Sequence, residues 1–228
     1  MASPRPSPGT TRGARVWDVP IRLFHWLLVA LLGFSWWSGE QHLMDWHRLS
    51  GLTILALLLF RLYWGLVGSP TARFARFVRG PHAVLAYVRG QDATPAPGHN
   101  PLGGWSVVAM LVTLCAMVGA GLFAVDVDGL ESGPLADYVS FDQGRLAAEI
   151  HGWVFNALLA LVAVHVVAIV FYLVRGKNLT AQMITGRSQL PDPRPGATDD
   201  HHAWLWKAVL GAAGAAAIAI AVARGFRF

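Results

Sequence analysis

The chain is short of charge. Only 14% of its 228 residues are Asp, Glu, Lys or Arg, against about a quarter in a soluble domain. Lipid must therefore replace water over much of the surface. Cysteine is scarcer still, since Cys115 is the one cysteine and lies inside an apolar run. That excludes an intramolecular disulfide and any zinc or iron–sulfur site built on cysteines of this chain. No C-x-x-C-H occurs, which excludes c-type haem attachment. No A-x-A-like cleavage site follows the Pro-, Ser-, Gly- and Arg-rich residues 1–15, so the first apolar stretch reads as a retained span. The net charge of +5 is spread over residues that flank apolar runs, which argues against nucleic acid as a partner. There is no long soluble segment and no internal repeat.

Hydrophobic residues make up 54% of the chain and fall into five stretches long enough to cross a bilayer. They run over residues 21–37, 46–67, 105–123, 146–174 and 204–222. Ten tryptophans suit the aromatic belts where membrane meets water. The fifth stretch is dominated by Ala and Gly, and Gly211 and Gly214 offer close helix packing. Residues 71–90 interleave arginines with apolar side chains and are expected to lie along the membrane surface, broken at Gly80-Pro81. Residues 91–104 read as a Pro/Gly loop. Residues 187–203 read as a Pro-rich linker, expected to be disordered over 187–202. The expected domains are a flexible tail over 1–15, a transmembrane domain over 16–186, that linker, and a hydrophobic helix over 204–228.

Basic residues set the orientation. Arg5, Arg12, Arg15 and Arg22 precede the first span, Arg73, Arg76, Arg79 and Arg89 follow the second, and Arg175, Lys177, Arg187 and Arg194 follow the fourth. Alternating spans place all three groups on one side, which the positive-inside rule makes cytoplasmic. The opposite loops hold Glu40 and Asp45, then Asp126, Asp128, Glu131, Asp137 and Asp142. Arg224 and Arg227 break the rule if the fifth stretch spans; otherwise that stretch lies at the interface.

Four histidines fall inside or at the ends of spans, where an ionisable group is costly and functional by default. His151 and His165 are 14 residues apart in the fourth span. On a helix they share a face and are separated by about 21 Å along the axis. That separation rules out one tetrahedral zinc site, which needs its ligands converging. His25 lies near the cytoplasmic end of the first span and His47 at the outer end of the second. Matching depth pairs His47 with His151 and His25 with His165. Two stacked bis-histidine sites of this kind suit haem iron, and filled axial positions favour electron transfer over oxygen binding. The competing reading, interhelical hydrogen bonds, weakens with four histidines at matched depths. Gly51 and Gly152, close to His47 and His151, would permit a flat macrocycle to approach. Arg61, 14 residues after His47, shares that histidine's face at the inner site's depth. It is placed either to pair with a haem propionate and raise the inner potential, or to snorkel to the interface. His42 sits in the outer loop, within reach of a propionate or substrate but read first as a solvated loop residue; His82, His99, His201 and His202 fall in loops or at interfaces and are assigned no role.

The stretches VWDVPIRLFHW around His25, WHRLSG around His47, FVRGP at 77–81, GHNPLGGW at 98–105 and the two histidines of the fourth span carry a resemblance. Over roughly residues 15–186 the chain resembles the bacterial cytochrome b561 superfamily, nearest the branch of b-type subunits of nickel–iron hydrogenases. The resemblance implies an all-α integral membrane protein: a four-helix bundle enclosing two b haems ligated by His25, His47, His151 and His165, exchanging electrons with quinone. The fifth hydrophobic helix departs from that basic pattern. The expected function is electron transfer across a bacterial inner membrane, N-terminus cytoplasmic, between quinone and a periplasmic c-type cytochrome, dehydrogenase or hydrogenase subunit. A stand-alone superoxide:quinone oxidoreductase and a haem-free scaffold or transporter are the alternatives.

Overall fold

The computed structural model describes residues 13–91, 100–191 and 201–227. Five helices are long and apolar enough to span: α1 (Val19–Glu40), α2 (Met44–Val67), α5 (Pro101–Phe123), α6 (Phe141–Val174) and α8 (His201–Ala223, apolar over Trp204–Ala223). The short helices α3 (Phe74–Phe77) and α4 (Pro81–Val88) occupy the surface segment, with the expected break at Gly80. A further short helix, α7 (Leu179–Thr185), follows α6. The chain is a multi-pass membrane protein built as a helical bundle.

Local chemistry explains where the spans begin. Asp18 caps α1, its Oδ1 accepting from the Ile21 amide at 2.8 Å, and Pro20 sits in the first turn. Asn100 caps α5 in the same way, accepting from the Gly103 amide at 2.6 Å, with Pro101 leading the helix. This cap starts α5 inside the stretch read as a loop over 91–104; residues 92–99 of that stretch lie outside the described residues. A Ser140–Gln143 capping box starts α6 at Phe141, more than a turn before its apolar run.

Asp18 does more than cap. Its Oδ2 accepts from Trp64 Nε1 at 2.9 Å and from Ser69 Oγ, tying the start of α1 to the end of α2. Trp64 is fully buried. Asp18→Ala removes the cap and leaves that indole N–H without an acceptor, so it is expected to cost about 2–4 kcal/mol. Thermal unfolding of the detergent-solubilised protein reads this directly, with Asp18→Asn milder because an amide oxygen still caps.

The spans form two hairpins. α1 packs along α2 and α5 along α6, while the hairpins meet through α2 and α5. α6 makes no extensive backbone contact with α1 or α2. An apolar core of Phe24, Leu28, Ile54, Leu58, Leu111, Leu114, Met117, Val118 and Leu158 closes the middle of the bundle. Antiparallel to α2 lies α8, where a Cβ on Gly211 would come within 2.3 Å of the Tyr63 ring. The close packing expected at Gly211 is present; at Gly214 a Cβ would meet nothing within 4 Å.

α8 settles the choice left open for the fifth stretch. At its start Trp204 lies under Arg73, with the guanidinium 5.7 Å from the ring centre. At its end the Gly225 carbonyl accepts from Tyr138 at 2.7 Å, and Arg227 pairs with Asp137. The helix therefore runs from the end rich in arginine to the end rich in aspartate, as a span does.

Two expectations need correction. Residues 13–15, read as part of a flexible tail, and residues 187–191, read as part of a disordered linker, pair as antiparallel strands β1 (Gly13–Arg15) and β2 (Arg187–Pro191). The pairing is seeded by Gly186, left-handed at φ 77°, whose carbonyl accepts from the amides of Val16 and Trp17. The remainder of both segments, 1–12 and 192–200, lies outside the described residues.

Candidate cofactor site between the hairpins

The space between α6 and the α1–α2 hairpin receives all four histidines. At the acidic end, the rings of His47 (α2) and His151 (α6) lie nearly perpendicular, with centres 6.0 Å apart and planes at 78°. At the basic end, His25 (α1) lies within electrostatic reach of His165 (α6). Leu158, seven residues from each α6 histidine and 3% exposed, joins the apolar core between the two pairs. Trp36 and Phe155 meet across the same gap at 6.4 Å. Apolar side chains thus lie between the two pairs along α6.

The acidic-end pair is held in one orientation. His151 Nδ1 donates to the Met117 carbonyl at 2.8 Å, and His47 Nδ1 donates to the Ser35 carbonyl at 2.9 Å. Because each Nδ1 is committed as a donor, each Nε2 keeps its lone pair, the tautomer a metal needs. A metal–imidazole bond of about 2.0 Å, with the ring centre about 1.1 Å behind the nitrogen, puts two axial rings about 6.2 Å apart. The 6.0 Å observed matches that span. In spacing, and in the tautomer that the two hydrogen bonds set, the pair is suited to hold a haem iron.

Both hydrogen bonds rest on a glycine that the sequence reading passed over. Gly121 follows Met117 by four residues and Gly39 follows Ser35 by four, so each glycine stands where its Cβ would crowd the ring. A Cβ on Gly121 would lie 2.9 Å from His151 Nδ1; one on Gly39 would lie 3.1 Å from His47 Nδ1. Gly51 and Gly152, expected to serve close approach, face open space, with nothing within 4 Å of a Cβ. The signal available was positional: both functional glycines lie in the last turns of the helices next to α2 and α6.

The basic-end pair is less anchored. His25 Nδ1 is buried without a hydrogen-bond partner among the described residues, and its ring meets the edge of Trp26 at 4.9 Å. A buried orphan nitrogen calls for an explanation that the protein side chains do not supply. Arg61 lies at this end and is 4% exposed. It donates to the Ala72 carbonyl at 3.3 Å and stacks 4.6 Å over Phe74. The guanidinium is thus covered by α3 and turned toward the loop that follows α2.

A polar cluster at the basic end was not foreseen. Asn100 Nδ2 donates to Tyr87 Oη at 2.9 Å and to Tyr172 Oη at 2.7 Å, and the two hydroxyls are 3.0 Å apart. Tyr172 is seven residues past His165 and shares its face of α6.

Comparison with known proteins identifies the family. The family model described as "Prokaryotic cytochrome b561" matches residues 16–186, the stretch that carries all four histidines. A protein of Azotobacter chroococcum mcd 1 named "Probable Ni/Fe-hydrogenase B-type cytochrome subunit" is 25% identical over 219 residues, covering 79% of this chain and 90% of its own length. No solved structure matches the chain. With haem b and membrane electron transfer as the common property of that family, and with its model spanning most of the bundle, the chain belongs to the prokaryotic cytochrome b561 family.

Proposed function

We propose that the protein carries electrons across the bacterial inner membrane through two bis-histidine b haems. His47 and His151 hold the outer one; His25 and His165 hold the inner one. The observation that carries the reading is the His47–His151 pair, at haem spacing with both Nδ1 atoms locked on helix carbonyls. Bound haem supplies one-electron uptake and release. The chain fixes the axial rings and keeps an apolar layer at Leu158 between the sites. The buried charge of Arg61, held at the basic end, favours the reduced state of the inner site electrostatically.

The basic end is the cytoplasmic face, by the positive-inside rule. There the Tyr87–Tyr172–Asn100 cluster supports quinone exchange. Asn100 donates to both hydroxyls and one hydroxyl donates to the other, so one O–H proton has no acceptor among the described residues. A quinone carbonyl is such an acceptor. At the periplasmic end the acidic loop between α5 and α6 suits a basic patch on a soluble c-type cytochrome or on an oxidoreductase subunit. The name of the Azotobacter relative favours the subunit.

The test is an absorption spectrum with haem quantitation. Two b-type haems per chain, reducible by dithionite and reoxidised by a soluble quinone analogue, are expected. A purified protein without reducible b haem would sink the reading in favour of a haem-free scaffold.

A further inference from the structure

The basic end holds a second, half-buried cation, and unlike Arg61 its side chain has no hydrogen-bond partner among the described residues. Arg22 lies in the first turn of α1, and among the described residues its side chain makes no hydrogen bond or ion pair; its Nε is fully buried. The nearest carboxylate in sequence, Asp18, is taken: Oδ1 by the Ile21 amide, Oδ2 by Trp64 and Ser69. A guanidinium partly withdrawn from water without an anion is costly. The site therefore calls for a negative group from outside the chain.

The surroundings say which kind. Arg22 lines a groove of about 520 Å³ with Val19, Leu23, Trp26 and Leu27 of α1 and Ile184 of α7. Apart from Arg22 this lining is hydrophobic, and Val19, Leu23 and Leu27 are each at least half exposed on the outside of the bundle. His25, three residues on, is turned about 60° from Arg22 and faces α6 instead. The ligand must carry an anionic oxygen group at the membrane interface and an apolar chain running inward along α1.

We propose that this groove binds one acidic phospholipid, its phosphate on the Arg22 guanidinium and an acyl chain along Leu23, Trp26 and Leu27. Basic pockets between helix ends at a membrane face are suited to such headgroups. The chemistry is that of an anionic oxygen, which a propionate of the inner haem also offers, and the test separates the two sources.

The full-length protein is reconstituted into vesicles of phosphatidylcholine with or without phosphatidylglycerol, and lipid carried through re-purification is counted per chain. Wild type is expected to retain about one phosphatidylglycerol, Arg22→Gln to bind it about tenfold more weakly, and Arg22→Lys to recover most of that loss. Ile184→Trp, which fills the groove and leaves the charge, is expected to lose the lipid as well. Unchanged retention in Arg22→Gln overturns the proposal. If it comes with a downward shift in one haem's midpoint potential, the anion is a propionate; if both potentials are unmoved, the cation is simply solvated. Retention is read without reference to haem, so this proposal and the electron-transfer reading fail separately.

Discussion

Replacing His151 with alanine is expected to lower the haem content from about two per chain to about one, with the inner haem spectrally intact. On the proposed assignment His151 is one of two protein ligands at its site, with His47 as the other. The sites are separated by about 21 Å along α6, and Leu158, packed into the common core, stands between them. Removing one imidazole therefore leaves the other pair's surroundings in place. His165→Ala is the mirror case and is expected to remove the inner haem alone. Haem per chain after acid extraction gives the stoichiometry, and a reductive titration resolves whether one or two components remain. Loss of both haems from either substitution would break the assignment of pairs by depth. Equal content in variant and wild type would remove these histidines from the ligand set altogether.

The spans and the histidine depths were legible because both depend on one coordinate, distance along the membrane normal. Apolar length and arginine asymmetry fix that coordinate. The boundaries were less legible where polar chemistry overrides hydropathy: the Ser140–Gln143 box and the Asn100 cap each extend a helix beyond its apolar run. What sequence could not supply was the second dimension, which faces meet across the bundle. Arg61 shared His47's face on an ideal helix, yet α3 folds back over it and turns its charge to the Ala72 carbonyl. Tyr87, Asn100 and Tyr172 meet although up to 85 residues separate them. The β1–β2 ribbon likewise joins two stretches whose composition is that of disorder, through a backbone contact at Gly186 that no side-chain pattern encodes. Glycines near the ligands were recognised as significant, but adjacency along the chain selected Gly51 and Gly152. Gly39 and Gly121 lie against the rings from a neighbouring helix, a contact that adjacency along the chain does not reveal.

That distinction makes Gly121→Val the sharper test of how the outer site is built. By the helical pattern the Met117 carbonyl already receives the amide of the residue four on, which is Gly121. The His151 ring reaches the same carbonyl by lying against the bare Cα of that glycine. A Cβ there would stand 2.9 Å from Nδ1 and 3.0 Å from Cε1, closer than real side chains tolerate. The ring must then move or lose its bond to Met117, and in either case its placement beside His47 changes. Valine adds two methyls to that clash and is expected to abolish retention of the outer haem through purification. Gly121→Ala, with the smaller group, is expected to weaken it by about tenfold, the loss of one oriented hydrogen bond of about 1.5 kcal/mol. Two residues away, a Cβ on Gly119 would meet nothing within 4 Å. Gly119→Ala gains about 1 kcal/mol of helix propensity without touching the ring. It is therefore expected to keep both haems and to melt no lower than wild type. Gly121→Ala gains the same propensity, so a haem loss confined to position 121 cannot come from the helix itself. Haem content and far-ultraviolet circular dichroism on the three variants separate these effects. Full outer-haem retention in Gly121→Val would show that the carbonyl-bound ring is not the ligating conformation.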